Sequence, residues 1–212
     1  MTWTLPQRMF LLSYDLDRSK LDSESVLVRG QLMRAAAVAQ LTIDGLLVDD
    51  DGKAVRNTVE PPADAFLAEV LDHVSAKPRK WFALVDRHWH TSENTVRDQL
   101  AESGAITIHR SRTLGVFPTT QIILDNTAPV AALRETVRNV VLLGQDPTTV
   151  ALPEVVLAVL AVEGDVCCVF TRKERREHKR TIAGLTEYVD EVLPGLRRAL
   201  VLSMAARRAG AA

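Results

Sequence analysis

Eight consecutive apolar residues, Val155-Val156-Leu157-Ala158-Val159-Leu160-Ala161-Val162, stand between Glu154 and Glu163 and form the longest such run in the chain. A membrane-crossing helix needs about 20 apolar residues, so this run cannot span a bilayer and any membrane contact is made from outside. With 212 residues in all, the chain has material for one hydrophobic core. One domain over residues 1–212 is expected. Aromatic residues make up only 5%, and Ala, Val and Leu carry the apolar content, which is the vocabulary of a helical core.

The formal net charge of -1 gives the whole molecule no attraction to nucleic acid or anionic membrane, so any such binding needs a local patch. Residues 1–70 hold 7 Lys and Arg against 11 Asp and Glu, whereas residues 165–212 hold 10 against 6, making the C-terminal quarter the basic end. The two cysteines, Cys167 and Cys168, are neighbours in an apolar stretch. Adjacent cysteines close a disulfide only with strain, and no metal-ligand spacing accompanies them, so a reducing compartment is expected. Phe10, Leu11 and Leu12 form too short an apolar stretch for a secretory signal, with Asp15 and Asp17 following at once.

Spacing and punctuation predict a mainly α fold. A helix is expected over 25–39 with its cap at Ser23 or Ser25, then a short hairpin over 46–55 turning at Asp51-Gly52. Pro61-Pro62 precedes a helix over 63–75, Pro78 ends it, and Ser92 caps a helix over 95–103 that stops at Gly104. Strands over 105–108 and 121–124 make a second hairpin around a loop that contains Arg110 and Arg112. Further helices are expected over 130–143, 152–162, 172–192 and 196–208, broken by Gly144, Pro147, Gly164 and Pro194-Gly195.

No Gly-rich phosphate loop, nucleophile elbow or zinc-protease sequence occurs, and no carboxylate is marked as a general acid by its neighbours, so a non-enzymatic role is expected with no cofactor. His88 and His90 lie two apart, which does not place both on one helix face for a metal. The basic run does carry a pattern: Arg172, Arg175, Arg176 and Lys179 would share one face of a continuous helix and offer electrostatic attraction to a membrane surface.

Several strings, in order, resemble the Golgi phosphoprotein 3 family, bacterial members in particular. They are Leu5-Pro6-Gln7-Arg8-Met9-Phe10-Leu11-Leu12; Leu32-Met33-Arg34-Ala35-Ala36-Ala37-Val38-Ala39-Gln40-Leu41 followed by Gly45-Leu46; Leu100-Ala101-Glu102-Ser103-Gly104; Arg112 with Leu114-Gly115-Val116-Phe117-Pro118; and Val169-Phe170 leading to Arg180 and Leu185. The resemblance implies hydrophobic helices at the centre, amphipathic helices around them, and one or two short β-hairpins. It also implies a peripheral, cytoplasmic membrane protein binding a phosphoinositide, phosphatidylinositol 4-phosphate in the eukaryotic members. Their headgroup pocket joins a Trp and an Arg of the first long helix to two Arg of a later one. Arg34 matches the first Arg, and Arg97 is the nearest cation to the later pair. An ungapped match puts Ser25 at the Trp, and His90 and Glu93 at the pair. The hairpin over 106–124 corresponds to the family's self-association element, so a homo-oligomer is expected.

A different class remains open. A helix over 92–103, a strand, an Arg-containing loop and a second strand to residue 124 imitate a winged-helix nucleic-acid binder. Against it, Glu93, Asp98 and Glu102 outnumber Arg97 on the helix and would repel phosphates, so no nucleic-acid partner is expected.

Overall fold

The computed structural model describes residues 3–74, 77–113 and 117–210, and the side chains of all of these except 110–119. Helix α1 (Leu5–Leu12) leads through strands β1 (Tyr14–Asp15) and β2 (Lys20–Leu21) to helix α2 (Arg29–Ile43). Strands β3 (Leu47–Asp50) and β4 (Lys53–Arg56) follow, then helix α3 (Ala65–Asp72), strand β5 (Arg79–Lys80) and helices α4 (Trp81–Asp86) and α5 (Trp89–Glu102). Strands β6 (Ile106–Thr113) and β7 (Phe117–Leu124) precede helices α6 (Ala128–Leu142), α7 (Leu152–Glu163), α8 (Arg172–Glu177), α9 (Lys179–Val192) and α10 (Leu196–Ala209). Among the described residues more than half lie in helices, so the fold is mainly α.

Helix α2 is the axis. Twelve of its 15 residues are buried, and α1, α3, α4, α5, α7 and α10 pack around it. Its small side chains, Ala35, Ala36, Ala37 and Ala39, are all 0% exposed and let neighbouring helices approach closely. At Gly30 the helices leave no room for a side chain: an added Cβ would lie 2.0 Å from the Trp89 carbonyl oxygen at the start of α5. Helix α7 carries the eight-residue apolar run and buries Val155, Val156, Leu157, Ala158, Val159, Leu160 and Ala161 within the same core. An element apolar on all faces needs cover on all faces, and the surrounding helices supply it.

Both predicted hairpins are present, but the strands of the second run longer than expected, so Arg110 and Arg112, expected in its loop, lie in β6. In the first, Asp51 and Gly52 take φ of 51° and 75°, the left-handed pair that a two-residue turn between twisted strands requires. A third strand, β5, pairs with β4 beyond what the pattern foretold. In the second, β6 and β7 pair in register from Ile106↔Leu124 to Thr113↔Phe117. The Tyr14 hydroxyl donates to the Ile122 carbonyl and ties the hairpin base to the N-terminal turn.

Three expectations about helices are also corrected. The first long helix starts at Arg29, not Ser25, because residues 25–28 form a tight turn closed by the Val28 N–H on the Ser25 carbonyl. Helix α5 begins at Trp89, with Ser92 inside it donating to the His88 carbonyl instead of capping. The helix expected over 172–192 breaks at His178, where φ is -100° and ψ is 22°. The break reconciles two demands. Helix α8 buries no residue and is held by ion pairs, whereas α9 must lay Leu185 and Val189 on the core.

Candidate functional site

Arg34, expected at the mouth of a headgroup pocket, lies inside the protein with 0% exposure. Its Nε donates to the Leu84 carbonyl at 3.0 Å, Nη1 to Glu69 at 3.0 Å and Nη2 to His73 Nδ1 at 2.9 Å. The Phe66 ring centroid is 5.9 Å from the guanidinium carbon. A guanidinium only donates, so Nδ1 of His73 accepts and the ring proton sits on Nε2, 3.8 Å from Glu69. Burial, and next the Arg34 charge, push His73 down to about 4. Arg34 therefore joins α2 to α3 and α4 from within and has no face toward a lipid.

The neutral His73 makes stability depend on pH. The unfolded imidazole takes up a proton near 6.5, whereas the folded one resists until about 4, so stability is fully present above 6.5 and declines as pH falls from 6.5 to 4. The shift taken at face value corresponds to ~3 kcal/mol, and screening at this partly exposed group reduces it to about 1–2 kcal/mol. A fall of a few degrees in melting temperature across that window, removed by His73→Gln, is expected from thermal scans.

Arg97 is also engaged at home. Its Nε and Nη2 donate to Asp98 at 2.9 and 2.7 Å, and Nη1 donates to Asn94 at 2.9 Å. The α2 residue that meets α5 is Arg29, whose Nε donates to Glu93 at 3.0 Å and whose Nη1 donates to the Asp22 carbonyl at 2.5 Å. Arg29 and Glu93 are both withdrawn from bulk water to a large degree, 6% and 28% exposed. Thus the position matched to one of the later pocket arginines holds a carboxylate that neutralises the cation opposite. These 64 residues of separation carried no local signal.

The basic run divides. Arg175 is drawn under α8 onto Asp165 at 2.5 Å and is only 15% exposed, so it leaves the surface face on which it was expected. Asp165 also accepts from Arg208 of α10 at 2.9 Å. Arg172, Arg176 and Lys179 stay exposed, joined by Lys173 and Arg180. Arg172 pairs with Glu24 at 2.9 Å, setting α8 beside the 15–24 turn and its exposed Arg18 and Lys20.

Between that turn, α6 and α8 opens a cleft of about 750 Å³. Arg18 and Arg172 stand in its lining with Arg134 and Arg138 of α6, an i,i+4 pair that the helical reading of 130–143 already contained. Arg134 donates to the Tyr14 carbonyl, and its buried Nε has no partner. Arg138 donates to the Val169 carbonyl and to Glu174 at 2.5 Å. Burial would raise Glu174, but the hydrogen bonds from Arg138 and Thr171 outweigh it and hold the carboxyl at about 2. Burial pushes Cys168 up to about 12, and its Sγ lies 3.3 Å from the Leu12 carbonyl, so it remains a thiol at neutral pH. Asp15, Asp17, Asp22, Glu24 and Glu174 line the same cleft and balance its arginines.

Among the described residues no group of three His, Cys, Asp or Glu side chains stands ready to hold a metal ion, and no helix is long and apolar enough to cross a membrane. The helix and hairpin of the winged-helix reading do adjoin, but the lone Arg97 of that helix is consumed by Asp98 and Asn94. No curated protein matches the sequence. The family model described as Golgi phosphoprotein 3 (GPP34) matches residues 5–202, nearly the whole chain, and the protein therefore belongs to that family.

Proposed function

We propose that the protein is a peripheral, non-enzymatic membrane protein of the cytoplasmic side that binds anionic lipid headgroups with an exterior cationic face. The observation that carries this reading is the Arg172–Glu24 pair, which sets the exposed cations of α8 and early α9 beside Arg18 and Lys20 of the neighbouring turn. Lys173 and Arg172 keep side-chain exposures of 83% and 71%. Each basic group near an anionic surface contributes about 1 kcal/mol, so a group of this size outweighs the intervening Glu177 and Asp17. Phosphatidylinositol 4-phosphate is the specific lipid suggested by family membership.

Sedimentation with phosphatidylcholine vesicles doped with phosphatidylinositol 4-phosphate, phosphatidylinositol or phosphatidylserine at matched charge tests this. Wild-type protein is expected to pellet with acidic vesicles and to release as salt rises past about 0.1 M. Reversing Lys173 and Arg176 to Glu should weaken binding by roughly several hundredfold, since each reversal counts twice at about 1 kcal/mol per charge. Preference for one headgroup at matched charge establishes the lipid, and failure to pellet with any acidic vesicle overturns the proposal.

The hairpin over 106–124 is the proposed self-association element. Removal of residues 111–119 is expected to shift a larger species to monomer in sedimentation velocity, with the helical circular dichroism retained.

A further inference from the structure

Val26 and Leu27 occupy the two corners of the tight turn that precedes α2, closed by the Val28 N–H on the Ser25 carbonyl at 2.9 Å. Turn corners ordinarily hold Pro, Gly, Asn, Asp or Ser, because those residues favour the required backbone or satisfy it locally. Here they hold a β-branched and a large aliphatic residue, 53% and 44% exposed. One exposed aliphatic side chain is unremarkable on a protein surface. Two at the apex of one turn, with both flanking residues buried, are a protrusion.

The protrusion is rigidly mounted. Ser25 and Val28 at its base are 0% and 1% exposed. Asp22 accepts from the Ser25 N–H at 2.9 Å and from the Cys168 N–H at 3.1 Å, and its carbonyl accepts from Arg29 at 2.5 Å. Glu24, one residue before the turn, is bridged to Arg172, which brings the cationic face of α8 alongside. An apolar apex with cations at its flank has the layout of a surface facing lipid, where aliphatic groups enter the acyl boundary while positive charge stays at headgroup level.

We propose that the Val26–Leu27 apex inserts into the bilayer interface as a fixed wedge when the cationic face docks. The inference rests on the membrane-binding reading above and adds a second, salt-independent component to it. The cations recruit the protein from solution through a screened interaction, and the wedge retains it through burial that salt does not screen.

The test uses the full chain with vesicles of phosphatidylcholine and phosphatidylserine whose phosphatidylcholine carries dibrominated acyl chains, which quench indoles on contact. In Leu27→Trp the added fluorescence is expected to be quenched on these vesicles, while Val59→Trp, at a site 92% exposed in another loop, is not. The double variant Val26→Ser, Leu27→Ser should keep the wild-type melting temperature and its low-salt capture. At moderate salt it should bind about tenfold more weakly than wild type, the loss expected from half-buried aliphatic groups. Vesicle binding without quenching at position 27, or with the double variant unchanged at moderate salt, overturns the wedge and leaves the cationic docking intact. Wild type that binds no acidic vesicle overturns both.

Discussion

Gly30→Ala is expected to cost at least ~3 kcal/mol and to leave little folded protein, because the new methyl would lie 2.0 Å from a backbone carbonyl oxygen, that of Trp89. Neither side can yield cheaply. Gly30 lies in the first turn of the axial helix, and Trp89 opens α5 just after His88, which already holds a left-handed φ of 55°. The Arg29–Glu93 pair spans the same junction, so prying the two helices apart would lengthen that bond as well. Gly164→Ala provides the comparison. Its Cβ would meet Leu32 at 2.5 Å, but those nearest atoms are the terminal methyls of a side chain, which can turn aside, and the Leu160 carbonyl oxygen stands farther off at 3.1 Å. A cost of about 1–2 kcal/mol is expected there. Urea denaturation of both variants checks the order; equal loss at the two sites would show that the α2–α5 junction adjusts more freely than its geometry implies.

Arg34→Ala is the second large effect, at about 3–4 kcal/mol of stability. The truncation leaves the Leu84 carbonyl without its donor, removes the partner of His73 Nδ1 and opens a void under Phe66. Arg34→Lys should recover little, since one ammonium cannot reproduce three donors aimed at three acceptors on α3 and α4. Arg34→Ala also separates architecture from lipid contact. Loss of vesicle binding in this variant should track loss of folded protein in denaturation curves, whereas headgroup preference among the molecules that remain folded should be unchanged.

The helical character of the chain, both hairpins and the interior run of α7 were legible because each is written in neighbouring residues: a turn at Asp51-Gly52 between short apolar stretches, and eight apolar positions without interruption. The interior place of Arg34 was not legible. From residue 30 to residue 39 it is the only charge, yet the family resemblance placed it in a headgroup pocket; its burial follows from partners on α3 and α4, which lie 35 to 50 residues away and leave no local signal. The Arg29–Glu93 pair and the meeting of Arg138 with Glu174 join residues 64 and 36 positions apart, which no periodicity reveals. The break at His178 follows no Gly or Pro. It arises from where α8 and α9 must each attach, a tertiary demand that overrides helix propensity. The turn over 25–28 was missed because Ser25 reads as an ordinary cap in the absence of its burial.

Helix α8 has one further consequence. No residue of it is buried, and Arg138–Glu174, Arg175–Asp165 and Arg172–Glu24 fasten it to the rest of the protein. A segment attached in this way opens at a free energy governed by ionic strength, not by the hydrophobic effect that protects α2 and α7. Its amide protons should exchange with solvent sooner as salt is added, while those of the axial helix keep their protection. The layer proposed to face a charged surface is thus held by charge and not by apolar burial, and docking there is expected to be felt first as a slowing of exchange in α8.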